Sequence, residues 1–377
     1  MTGEAAIHAG GAGRFARLAA LLAHDPDNLP LLADAAEAGF AEERFEEAAE
    51  LLARHERIAP LPAPAQHLAG LAAMRLLDWQ GAARRFDALL AGGADAPPVR
   101  FNLAWSLAMD KRFDAALAAL DEAAGAALPQ AAQLEVRLLH ELGDFARAGD
   151  RARALIALHP DHRGLNAAVS TLAIDIEDET LAQRCAERAG DHPDALATLG
   201  TLALGRDEIA AAAPLFEAAL ARDPDAPRAW IGKGLVALLA GDPAQAAQAI
   251  DRGAGRFDTH LGSWIAAGWA HAIAGDTAAA RERFERACAL DDAFAEAQGS
   301  LAVVDLLDGR IDEAKRRTAV ALRLDRQCFS GALAAMLLAA GAGDGDKAKR
   351  IFETALDTPT GDGGRTIAQS LARLASR

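Results

Sequence analysis

The chain predicts an all-α fold, a solenoid of about ten helix-turn-helix repeats with terminal capping helices, and three observations carry it. Gly241, Gly275, Gly309 and Gly343 recur every 34 residues, and Ala212, Ala246, Ala280, Ala314 and Ala348 recur mostly in step with them. A sustained period of this length marks stacked supersecondary units. Trp230 and Gly234 return at the same interval as Trp264 and Gly268. The composition is 51% hydrophobic, led by Ala and Leu, with 5% aromatic residues and no Tyr. β-Branched residues are sparse, which disfavours strands.

One period shows how the spacing works. Trp230, Ile231, Gly234, Leu235, Leu238 and Leu239 fall at helical intervals and mark a first helix. Gly241 supplies the left-handed residue at its end. Asp242 then caps, and Pro243 opens, a second helix. Ala246, Ala249 and Ile250 share one face of that helix. Small residues there let two helix backbones approach, and Trp230 is expected to fill the wider space between them. Neither helix can bury its face alone, so each pair needs neighbours.

The pattern resembles the tetratricopeptide repeat family. A bulky residue followed four later by Gly stands at Trp230–Gly234 and Trp264–Gly268. Small residues on the second helix are Ala246 and Ala280 with Ala287, and Pro224 closes a unit. The resemblance implies a right-handed α-solenoid of the multi-repeat kind found in bacteria, with ligands held on the concave surface that the first helices line.

In chain order, residues 1–28 read as an N-terminal cap or partial repeat containing one helix, Arg14 to Ala23. Residues 29–192 form a first subarray in which Phe45, Trp79, Phe113 and Phe145 open the second helices at spacings of 34, 34 and 32. Its last unit, Asp161 to His192, has lost about four residues relative to the period and replaces the Gly-Asp turn with Asp175-Ile176-Glu177-Asp178-Glu179. It reads either as a joint or as drift in a surface turn. Residues 193–362 form the regular subarray. Residues 363–377 form a C-terminal capping helix with Ile367, Leu371 and Leu374 on one side.

A net charge of −15 disfavours a nucleic-acid partner, because phosphates are repelled. Cys185, Cys288 and Cys328 are odd in number and share no metal-ligand spacing, which favours a reducing compartment. The first fifteen residues lack the pattern of a secretory signal, and no apolar run is long enough for membrane insertion. The expectation is a cytoplasmic protein without metal or other cofactor. His159-Pro160-Asp161-His162 sits in an inter-repeat turn with no Cys or Glu cluster beside it. The Gly-Asp-Gly runs at Gly343 and Gly361 lack the Lys-Ser/Thr of a phosphate loop. Ser106, Ser170 and Ser263 lack a nucleophile-elbow frame. No catalytic residue is assigned.

The resemblance places a binding groove on the first helices. Its candidates are Phe101, Asn102 and Trp105, then Arg137, Ile231, Leu235, Ile265, Trp269 and Val303. Asn102 alone matches the carboxylate clamp of relatives that grip a C-terminal peptide tail; His67, Leu71, Gln130 and Leu134 stand where its partners belong. The expected function is therefore a non-enzymatic scaffold or adaptor that binds an apolar or helical segment of a protein partner. The alternatives are a self-associating homo-oligomeric scaffold and a regulatory subunit of an enzyme complex.

Overall fold

The computed structural model describes residues 13–357, 359–360 and 365–366. Its contacts divide the chain into two compact units, one ending at Ala168 and one starting at Val169. Unit 1 contains α1 (Arg14–Leu22), α2 (Leu29–Ala41), α3 (Phe45–Ile58), α4 (Ala63–Arg75), α5 (Trp79–Ala91), α6 (Pro97–Met109), α7 (Phe113–Ala119), α8 (Glu122–Ala127), α9 (Pro129–Glu141) and α10 (Phe145–Leu158). The division runs through α11 (Arg163–Asp175). Unit 2 continues with α12 (Glu179–Ala189), α13 (Pro193–Gly205), α14 (Ile209–Arg222), α15 (Pro227–Leu239), α16 (Pro243–Phe257), α17 (Leu261–Ile273), α18 (Thr277–Leu290), α19 (Ala295–Leu307), α20 (Ile311–Leu324), α21 (Phe329–Gly341) and α22 (Gly345–Asp357). Two short strands follow, β1 (Pro359–Thr360) and β2 (Arg365–Thr366), paired antiparallel.

Among the described residues the helices after α1 make ten pairs, as the period predicts. Every first helix is 13 residues long. A three-residue turn joins each pair, and its middle residue is left-handed whether it is Gly241 (φ 80°) or Leu77 (φ 60°). The residue after it donates its N–H five residues back, as Asp242 does to the Ala237 carbonyl and Asp78 to that of Ala73, both at 2.9 Å. That bond satisfies a carbonyl which the helix end leaves without a partner. The same Asp then caps the second helix, Asp242 accepting from Gln245 N–H and Asp78 from Gly81 N–H. Three residues thus end one helix and start the next.

The fourth residue of every second helix is a buried Ala, from Ala48 and Ala82 in unit 1 to Ala314 and Ala348 in unit 2. In several pairs the eighth is a plug. Phe86, Phe216 and Phe284 are fully buried there, each set against a Gly at the eighth position of its own first helix. A Cβ on Gly70 would stand 2.6 Å from the Phe86 ring, and one on Gly268 would overlap Phe284. Ile250 does the same against Gly234. These rings, and not Trp230, fill the space between paired helices. That corrects the sequence expectation.

Two local departures stand out. The second helix of the third pair is broken into α7 and α8 at Leu120, which is extended (ψ 136°), and Asp121 caps α8 by accepting from Ala124 N–H at 2.7 Å. Arg100 of α6 stitches the break, donating to the Ala119 carbonyl and pairing with Asp95 and Asp121. In the shortened unit the missing length comes mainly from α12, which has 11 residues where α10 and α14 have 14. Its turn keeps the common geometry, with Glu177 at φ 56° and Asp178 capping Leu181 N–H. At the N-terminus α1 packs Phe15 and Leu22 inward, and Phe15 lies against Gly39. Of residues 363–377, where the C-terminal capping helix is expected, all but Arg365 and Thr366 lie outside the described residues. Arg365 and Thr366 instead pair with Thr360 and Pro359.

Candidate protein-binding site

Residues four apart on a helix share a face, so the fifth, ninth and thirteenth positions of each first helix form one stripe. In unit 1 that stripe carries His67 and Leu71 on α4, Phe101, Trp105 and Met109 on α6, and Gln133 and Arg137 on α9. Phe101 and Trp105 are half-buried, with ring centroids 6.1 Å apart. Asn102 is also half-buried, and its Nδ2 lies 3.4 Å from His67 Nε2. The His67 ring meets Phe86 edge-on at 5.7 Å, and burial pushes its pKa below the usual imidazole value. A neutral imidazole beside a carboxamide can exchange hydrogen bonds with a peptide backbone. Arg137 is exposed on the neighbouring helix, whereas Leu134, one of the places where a carboxylate clamp needs a polar group, is buried.

On α15, α17 and α19 of unit 2 the stripe is mostly apolar. Ile231 is half-buried and Leu235 is 38% exposed on α15. On α17, Ile265 and Trp269 are half-buried, and the Trp269 ring meets Phe284 edge-on at 5.6 Å. Trp269 therefore has one side in the core and one side on the stripe. Val303 is only 4% exposed and offers no surface, which removes it from the candidates. The cause is a close approach of α19 and α21. Gly299 lies against the backbone at Ser330 and Gly331, and the Ser300 hydroxyl donates to the Ser330 hydroxyl at 3.1 Å. The Glu296 carboxylate also accepts the Phe329 and Ser330 N–H groups that open α21.

Sequence reasoning missed the thirteenth positions. Leu239, Ile273 and Leu307 end α15, α17 and α19 and are all exposed. The signal was present, because they repeat at 34 residues one helical turn beyond Leu235, Trp269 and Val303. Trp230 and Trp264, expected between helices, are half-exposed. Their indole N–H groups donate to the carbonyls of Pro224 (2.8 Å) and Asp258 (2.6 Å) in the preceding inter-repeat turns. Arg252 stacks over Trp230 at 4.3 Å. Each indole ties its own helix to the turn before it.

The polar clusters are structural ties between helices. Asp305 is fully buried on α19 and meets Arg281, Arg310 and Arg317, while Asp308 also holds Arg281 and Arg310. Burial pushes the Asp305 carboxyl above its usual range despite those guanidiniums. Asp251 accepts from Arg283 and lies 2.8 Å from His271 Nε2. Burial works to raise its pKa, and those two partners outweigh it and lower the pKa. His159 Nε2 meets the Gly125 carbonyl at 2.8 Å, and His162 Nδ1 caps α11 by accepting from Leu165 N–H. Ser263 and His260 are 2.7 Å apart, yet the same His260 nitrogen caps the Ser263 N–H. Among the described residues there is no group of three His, Cys, Asp or Glu arranged to hold a metal, and no helix long and apolar enough to cross a membrane.

Residues 67–132 and 197–259 match the tetratricopeptide repeat model. Comparison with curated proteins gives no match. Among solved structures, human IFIT1 with m7Gppp-AAAA aligns over 87% of this chain and 90% of its own, at 12% identity and a TM-score of 0.54. A monomeric IFIT1 mutant with Gppp-AAAA aligns to the same extent. MamA aligns over 42% of this chain and 92% of its own, at 21% identity and a TM-score of 0.35. At 12% identity the IFIT1 likeness speaks to the fold alone.

Proposed function

The chain carries tetratricopeptide repeats, and we propose that it is a non-catalytic scaffold which holds an apolar or helical segment of a partner protein along its first helices. The observation that carries this reading is the stripe itself. Phe101 with Trp105 in unit 1, and Ile231, Leu235, Ile265 and Trp269 in unit 2, stay partly open to solvent at recurring helix positions. Asn102 and Arg137 add the polar contacts that would fix a bound chain's direction. The nearby ionisable clusters are paired among themselves, which leaves binding, and not bond-making, as the chemistry of this face.

The IFIT1 structures hold a capped oligonucleotide. For this chain a net charge of −15 and a stripe whose cations are Arg75 and Arg137 support a protein ligand, because binding a nucleic acid requires several Lys or Arg on the phosphates.

The test pairs stability with retention of the partner recovered on the immobilised protein. Leu235→Glu and Trp105→Ala should fold and lose that partner, at a cost of about 2 kcal/mol or more of binding if each is an anchor. Retention by both variants would place binding off the stripe. Self-association makes a different prediction: light scattering would then show an oligomer that Leu235→Glu dissolves.

A further inference from the structure

The stripe of unit 2 is most open at its far end. Leu239, Ile273 and Leu307 are exposed by 44%, 61% and 59%. The residues ending the other first helices are Ala41, Arg75, Met109, Glu141, Asp175, Gly205 and Gly341. Branched aliphatics therefore fall on three successive repeats and nowhere else in the series. Internal packing does not require them there, because the Ala ladder and the eighth-position plugs already seal each pair.

Three residues past Leu239 and Ile273 the turn presents an exposed carboxylate, Asp242 and Asp276, whereas Asp308 beside Leu307 is held by Arg281 and Arg310. The cations nearby have other partners. Arg281 and Arg310 are held by Asp305 and Asp308, and Lys233 lies 5.6 Å from the Trp230 ring. The surface is an apolar row with an acidic border.

We propose that this row receives an amphipathic helix of a partner protein that carries aliphatic or aromatic residues seven apart and Lys or Arg along one flank. The occupant's anchors, seven residues or about 10.5 Å apart along its axis, would sit at Leu239, Ile273 and Leu307, with its basic flank toward Asp242 and Asp276. The inference rests on the groove reading and adds the chemistry of the occupant. Helix-in-groove binding is read through such periodic anchors, and the charged border sets partner choice and encounter rate.

The test uses two labelled three-heptad helical peptides with the same leucine stripe, one flanked by lysine and one by glutamate, titrated against the full chain by fluorescence anisotropy. The lysine peptide should bind at least tenfold more tightly, and the difference should shrink as salt rises. Ile273→Glu, at an exposed position, should keep the parent melting temperature and weaken the lysine peptide at least tenfold. Asp242→Asn combined with Asp276→Asn, which keeps both helix caps, should erase the preference between the peptides. Equal binding of both peptides, unchanged in the double Asn variant, overturns the basic occupant and leaves the apolar groove standing. Absence of binding by either peptide overturns the helix as occupant, while the partner-retention test on Leu235→Glu still decides the groove. A homodimer that Ile273→Glu dissolves would assign the row to a second copy and also overturn the proposal.

Discussion

The turns within the helix pairs of unit 1 are centred on Glu43, Leu77, Lys111 and Gly143, and those of unit 2 on Glu177, Asp207, Gly241, Gly275, Gly309 and Gly343. All ten are left-handed, and all ten are closed by the same five-residue-back hydrogen bond. Glycine is thus not what imposes the turn. Stacking of the pairs imposes it, through the buried Ala near the start of each second helix and the plug one turn later. Glycine only removes the steric penalty, about 1–2 kcal/mol, that an L-residue meets there. Unit 2 shows its period openly because four successive turns spell it in glycine. Unit 1 hides the same period behind residues that hold the conformation under strain.

The largest test of that equivalence is the plug. Phe86→Ala in unit 1 and Phe284→Ala in unit 2 should each cost about 3–5 kcal/mol, the usual range for emptying a buried aromatic site. Denaturant unfolding followed by tryptophan fluorescence can separate the units, since Trp79 and Trp105 report on unit 1 and Trp230, Trp264 and Trp269 on unit 2. A loss in unit 1 below half of that in unit 2 would mean that the helix break at Leu120 has already loosened the N-terminal stack.

A smaller effect is expected at the indoles. Trp230→Ala and Trp264→Ala remove a half-buried ring and one hydrogen bond to a turn carbonyl. The loss should be about 1–3 kcal/mol, from partial apolar burial plus one hydrogen bond, and below that of Phe284→Ala. Calorimetry of the three variants checks the order. An indole variant less stable than Phe284→Ala would restore these rings to the core.

What was legible in the sequence follows from which contacts are periodic. The Ala ladder, the turns and the number of pairs depend on neighbours at fixed intervals, so a repeating residue type exposes them. The plug was less visible, because Phe86, Phe216 and Phe284 alternate with Leu52, Ala152, Ile250 and Thr318 at the same position. The break between α7 and α8 left one trace, the 32-residue spacing from Phe113 to Phe145, and Asp121 was available as a cap. Of the groove residues, Phe101, Trp105, Ile231, Leu235, Ile265 and Trp269 are placed with a surface open to solvent. Val303 is not, because its burial depends on how closely two helices of successive repeats approach. That distance is set by Gly299, Ser300, Ser330 and Gly331 together. No single period encodes a four-residue contact between repeats.

The smallest expected effect tests the glycine comparison directly. Leu77 is 68% exposed at the centre of its turn, so its side chain contributes little burial while its backbone sits at φ 60°. Leu77→Gly should therefore stabilise unit 1 by up to about 1 kcal/mol. The relief of left-handed strain slightly exceeds the extra entropy that glycine brings to the unfolded chain. Gly241→Ala should do the reverse in unit 2. No atom would lie within 4 Å of the new Cβ outside its immediate chain surroundings, so the loss of about 1 kcal/mol would come from backbone strain alone. Opposite signs of similar size, read from denaturant midpoints at unchanged slope, would show that both units share one turn and differ only in how much strain they carry. A destabilising Leu77→Gly would mean that the Leu77 side chain holds the turn by a contact that outweighs the strain, and the two units would then differ in mechanism as well as in composition.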